Sequence, residues 1–210
     1  MNKGIIFDLD GTLWDSSKEV IDSWNMALDK CDDVDFRLTV QDMQNLMGKT
    51  IDEIARILFS NKSEQRQQEI MKECMKEEKI YLRKHGGTLF PELENTLKEL
   101  SKHYKLFIVS NCQEGYIETF LEYYKLDKYF LDFENAGRTK KSKGENIKLV
   151  IERNKLDKAV YVGDTQGDYE ATKIAGVPFI HAKYGFGKIN EETYIINEIS
   201  ELPALVSSII

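Results

Sequence analysis

The stretch Ile5-Ile6-Phe7-Asp8-Leu9-Asp10-Gly11-Thr12 constrains this chain more than any other. Three consecutive apolar residues read as a strand buried on both faces, and the run stops abruptly in two carboxylates, a glycine and a threonine. Carboxylates at i and i+2 leave a strand end on the same side, so Asp8 and Asp10 converge on one centre. Two anions held that close repel unless a cation sits between them or one stays protonated. Gly11 permits a turn that a Cβ would hinder. The combination predicts a divalent metal, and oxygen ligands suit Mg²⁺. Two blander readings compete: the calcium loop of an EF-hand, which fails because a strand precedes and Leu13-Trp14 follow, and an ordinary Asp/Gly turn.

After this strand the periodicity becomes helical. Val20, Ile21, Trp24, Ala27 and Leu28 share one helical face. Thr39 with Asp42 and Thr50 with Glu53 are capping-box starts, and Gly48 stops the helix between them. A charged helix from about Ser63 to Arg83 turns Ile70, Cys74 and Tyr81 inward, and His85-Gly86-Gly87 marks the exit. Helices with no strand between them predict a small bundle over residues 15–85, inserted between residues 1–14 and an α/β core over residues 86–210.

From Pro91, expected in the first turn of a helix, apolar strands alternate with amphipathic helices. The strands are Leu106–Val109, a short one around Phe130–Phe133, Ala159–Val162 and Val177–Ile180. Leu202–Ile210 reads as a closing helix. The fold class is therefore α/β, a Rossmann-like parallel sheet with a helical insert after the first strand. Ligands of such sheets bind beyond the carboxyl ends of the strands. Asp8 and Asp10, Ser110 and Asn111, and Asp164 stand at those ends; Asp168 lies one helical turn on, and Lys143 opens the helix before the Asp164 strand.

Composition bounds the rest. The chain has 210 residues, 41% apolar and 31% charged, and a net charge of −7. That is a globular balance without an overall basic footprint for nucleic acid. No apolar run approaches the ~20 residues of a membrane span, and no signal-peptide pattern is visible. Cys31, Cys74 and Cys112 read as reduced thiols, giving a cytoplasmic expectation. His85, His103 and His181 show no ligand spacing.

In these motifs the chain resembles the haloacid dehalogenase superfamily, in its phosphoglycolate phosphatase-like and beta-phosphoglucomutase-like branch with a helical cap. Asp8-Leu9-Asp10-Gly11-Thr12 matches the first motif, Ser110-Asn111 the second, Lys143 within Lys141–Asn146 the third, and Gly163–Asp168 the fourth. The resemblance implies a phosphatase in which Asp8 attacks phosphorus and Asp10 serves as general acid and base. It implies Mg²⁺ held by Asp8, the Asp10 carbonyl and Asp164, with Asp168 either a direct ligand or a partner behind the ligands, and Ser110, Asn111 and Lys143 on the phosphoryl oxygens. Relatives that cleave carbon–halogen or carbon–phosphorus bonds lack an acid at the position of Asp10, so phosphate-ester chemistry is expected. The cap would choose the substrate: Lys49 and Arg56 either meet an anionic group on it or are solvated surface charges. The resemblance implies a small phosphorylated metabolite as partner, with phosphoglycolate the leading substrate expectation, and the expected assembly is a monomer or weak homodimer. A sugar phosphomutase, a phosphoaspartate signalling module and an inactive binding relative are the alternatives.

Overall fold

A computed structural model describes residues 1–210. The chain runs β1 (Lys3–Phe7), β2 (Trp14–Asp15), α1 (Ser17–Leu28), α2 (Val40–Leu46), α3 (Ile51–Leu58) and α4 (Glu64–His85). It continues through β3 (Thr88–Leu89), α5 (Leu93–Leu100), β4 (Lys105–Ser110), α6 (Tyr116–Tyr124), β5 (Phe130–Asn135) and α7 (Ala136–Thr139). Then follow α8 (Lys143–Arg153), β6 (Lys158–Gly163), α9 (Gln166–Ala175), β7 (Phe179–Ala182), β8 (Tyr194–Ile196) and α10 (Leu202–Ile209). Six strands form one parallel sheet in the order β5-β4-β1-β6-β7-β8.

β1 lies at the centre, which is why its apolar run is continuous: Ile5 and Phe7 enter the larger core cluster and Ile6 the smaller one across the sheet. Its register pairs Phe7 with Ile108 on one side and Val162 on the other. The chain therefore leaves three neighbouring strands at one sheet edge, and Asp8, Ser110 and Asp164 are the residues it leaves with.

Along the chain the helices α1–α4 come between β1 and the other strands of the sheet, and α1 packs along α4. Both expected capping boxes form, at Thr39/Asp42 and Thr50/Glu53. The chain enters and leaves this bundle through one antiparallel ladder, β2 against β3. Trp14 in that ladder is fully buried and meets the rings of Tyr116, Phe120 and Tyr124 edge-on.

Four local expectations need correction. Pro91 precedes α5 instead of opening it, because Glu92 caps the helix in a left-handed conformation at φ 62°. Tyr81 is only half-buried, whereas Glu78, one turn earlier on α4, is buried. The last central strand begins at Phe179, after Pro178. Strand β8 forms at the edge from Tyr194–Ile196, a segment whose first two residues are exposed and which carries little alternation to read.

Candidate active site

At the carboxyl edge, Asp8, Asp164 and Asp168 bring carboxylate oxygens within 4.8 Å of one another, all three buried. Lys143 enters this cluster from the first turn of α8. Its ammonium lies 3.1 Å from Asp8 Oδ1 and 2.5 Å from Asp168 Oδ1, and its side chain is 4% exposed. Lys140 and Lys141 are exposed, so Lys143 alone of the three lysines reaches the cluster. Burial by itself would lower the Lys143 pKa, but Asp168 and Asp8 outweigh it and hold the ammonium charged.

Asp168 spends both oxygens. Oδ2 accepts from the Thr165 backbone and hydroxyl in the capping box that starts α9, and Oδ1 accepts from Lys143. Asp164 Oδ2 accepts from the backbone N–H groups of Phe186 at 2.7 Å and Gly187 at 3.3 Å. Asp8 Oδ1 and Asp164 Oδ1 accept no hydrogen bond although they are buried. Burial and the Asp168 charge push the Asp8 carboxyl up to about 7, and burial with the Asp168 and Asp8 charges raises Asp164. Buried carboxylates with unfilled lone pairs and raised pKa values fit a hard divalent cation, whose charge would restore their ionised forms. The backbone is shaped to the same end: a Cβ on Gly11, which has φ 79°, would lie 2.3 Å from Asp164 Oδ2.

Asp10 faces elsewhere. Its carboxylate is outside the acidic cluster, so the Asp8 and Asp10 side chains do not converge on one centre, contrary to what their i, i+2 spacing predicts. Its Oδ1 accepts from Trp14 Nε1 (2.9 Å), Ser16 Oγ (2.7 Å) and Tyr116 OH (2.9 Å). Burial raises the Asp10 pKa and these three donors restrain the rise. Ser110 is buried beside Asp8 at the cavity floor. Asn111 lines the cavity too, and one of the two N–H groups of its amide donates to the Gly48 carbonyl of the cap turn at 2.9 Å, joining cap to core. Cys112 gains no thiolate character, because burial pushes its pKa well up.

The cavity is floored by Asp8, Asp10 and Ser110 and roofed by Trp24, Met47 and Glu78. Lys49 lines it; Arg56 is exposed on α3 and is not part of its lining. Sequence reasoning missed Ser16, Tyr116, Glu78 and the Phe186–Gly187 amides. Only the last had a readable sign, the glycines of Gly185-Phe186-Gly187.

A buried acidic cluster at the switch edge of a parallel sheet, with a lysine inside it and a helical roof, is the site of an α/β protein that binds its ligand beyond the strand ends. The chain belongs to the haloacid dehalogenase-like hydrolase family, whose model matches residues 5–182. It is 28% identical to a phosphoglycolate phosphatase of Aquifex aeolicus over 97% of this chain and 96% of that one. It is 26% identical to a phosphoglycolate phosphatase of Aliivibrio fischeri over 88% and 85%. The solved structure of a haloacid dehalogenase-like hydrolase from Bacteroides fragilis superposes with a TM-score of 0.83 at 26% identity, covering 96% of this chain and all 100% of that one.

Proposed function

We propose that this enzyme is a Mg²⁺-dependent phosphatase that hydrolyses a small phosphate monoester through an aspartyl phosphate on Asp8. The convergence of Asp8, Asp164, Asp168 and Lys143 carries the reading: it is a nucleophile beside a cation site and an ammonium, at the bottom of a roofed cavity. Asp8, Asp164 and the Asp10 carbonyl would hold the ion, with Asp168 orienting Lys143 beside it. The bound ion would supply positive charge that lets a carboxylate approach a phosphate dianion.

Asp8 forms the new bond to phosphorus as the bond to the ester oxygen breaks. Lys143 and Ser110 face the phosphoryl oxygens and offset charge in the transition state. Asp10 gives its proton to the departing oxygen, then removes one from the water that attacks the aspartyl phosphate. The three donors on Oδ1 suit that exchange, since they fix the carboxyl in place and leave Oδ2 to carry the proton.

The relatives' named substrate makes phosphoglycolate the reference ester, and Lys49 is the cavity-lining cation able to meet its carboxylate. Asp8→Asn is expected to abolish turnover of p-nitrophenyl phosphate in Mg²⁺ while circular dichroism and Tm show an intact fold. Wild-type rates from that variant would remove Asp8 as the nucleophile. Release of inorganic phosphate, as opposed to an isomerised sugar phosphate, separates this reading from a phosphomutase on the same fold.

A further inference from the structure

Three carboxyls line the cavity, and Glu78 is the one that phosphoryl chemistry leaves without a task. It lies in the middle of α4 on the roof, 2% exposed. Trp24 Nε1 donates to Oε2 at 2.5 Å, and Gln113 Nε2, from the loop after β4, donates to Oε1. Both donors are neutral, and Glu78 takes part in no ion pair with a lysine or arginine. Glu134, the other buried glutamate, is held by Arg138 and Arg153. Asp8 and Asp168 share Lys143. Lys49 lines the same cavity, but its charge acts on Glu53 of α3 and it forms no ion pair with Glu78. Glu78 thus has no cation of its own, and a buried carboxylate without one is a poor resting arrangement.

Substrate geometry supplies the missing partner. With phosphorus at Asp8, the alcohol part of the ester would extend toward the roof, where Glu78 is hydrogen-bonded to the Trp24 indole and shares the lining with Val20 and Ile54. A carboxylate in the ester would add to the negative charge of Asp10, which already opposes ionisation of Glu78. A hydroxyl would add a hydrogen bond to the neutral acid and bring no charge to it. An ammonium would supply both the donor and the opposite charge, against an aromatic wall that favours cations. We propose that Glu78 is the specificity-determining residue of this cavity and that it selects a phosphate monoester of a small amino alcohol, with a primary ammonium in place of the carboxylate of phosphoglycolate. This rests on the phosphatase reading and keeps its substrate size while changing the charge of the leaving alcohol. The carboxyl itself is poised for such a partner: burial pushes it up to about 8, and an arriving cation returns it to the ionised form.

The test compares kcat/KM of the full chain in Mg²⁺ on 2-aminoethyl phosphate, 2-hydroxyethyl phosphate and phosphoglycolate, with p-nitrophenyl phosphate as the reference for phosphatase activity. The aminoethyl ester is expected to exceed both others by about tenfold or more. In Glu78→Gln the aminoethyl to hydroxyethyl ratio should fall to near one, and in Glu78→Asp the order should persist. Equal or better use of phosphoglycolate or the hydroxyethyl ester by the wild type overturns the proposal, and so does a ratio that survives Glu78→Gln. Should Glu78→Gln fail to fold, the wild-type ratio and Glu78→Asp decide. If p-nitrophenyl phosphate is not hydrolysed at all, the phosphatase reading falls, and calorimetric dissociation constants of the same three esters judge Glu78 separately, with the same ranking expected.

Discussion

Asp8 and Glu78 are both buried acids at one cavity, yet their surroundings differ in sign. Asp8 has Lys143 at 3.1 Å, whereas Glu78 has only an indole and an amide. For Glu78 the consequence is a pH-dependent cost. Its pKa rises from 4.5 in the unfolded chain to about 8 in the folded one, so between those values the folded state binds the extra proton. Stability contributed by the protonated form is present at low pH and lost as pH rises through about 8. Relative to wild type, Glu78→Gln should therefore gain stability on going from pH 5 to pH 9, by on the order of 4 kcal/mol, since each tenfold change in proton affinity is worth about 1.4 kcal/mol. Chemical denaturation of both proteins across that range checks it. A difference that stays flat with pH would mean that Glu78 is ionised in the fold throughout.

Among the elements, the paired linkers β2 and β3 hold the bundle to the sheet domain. Gly87 sits where they touch: a Cβ there would lie 2.9 Å from the Asp15 carbonyl oxygen and 2.9 Å from Trp14 Cε3. The Tyr124 hydroxyl also closes on the Gly87 backbone, so the segment has little room to shift. Gly87→Ala should cost about 1–3 kcal/mol, the usual penalty of overpacking a tight site, and lower Tm accordingly. It should also disturb Asp10, because Trp14 and Ser16 in the same linker donate to that carboxyl. An unaltered Tm together with unaltered kcat would show that the linkers separate easily. The elements themselves were readable from the chain because strand and helix periods and capping boxes act over a few residues. Strand β8 and the position of Pro91 were not, since an edge strand gains its pairing, and Glu92 its left-handed turn, only from neighbours far along the chain.

For the molecule as a whole, the proposed ion at the acidic cluster would couple folding to cation binding. The net charge is −7, and the edge of the sheet gathers three buried carboxylates around one ammonium. A ligand that binds only the folded state stabilises it by about 2.7 kcal/mol at a hundred times its Kd. At about 2–4 °C per kcal/mol for a chain of this length, saturating Mg²⁺ should raise Tm by about 5–10 °C over EDTA. Asp164→Asn should abolish most of that rise. Equal Tm values in Mg²⁺ and EDTA would count against a cation at this cluster. No helix is long and apolar enough to cross a membrane.

What the chain determined by itself was the alternation of strands and helices, and hence the places where Asp8, Ser110, Asp164 and Lys143 leave their elements; these follow from local periodicity and capping. What only the tertiary structure decided was which polar groups face each other. Tyr116 reaches Asp10 across 106 positions, Trp24 reaches Glu78 across 54, and Gln113 reaches Glu78 across 35. Arg56 misses the cavity that Lys49 lines, and the Asn111 amide turns to the cap. No pattern along a chain encodes such meetings, because burial and charge compensation are properties of the packed interior, where contacts are set by how whole elements fit together.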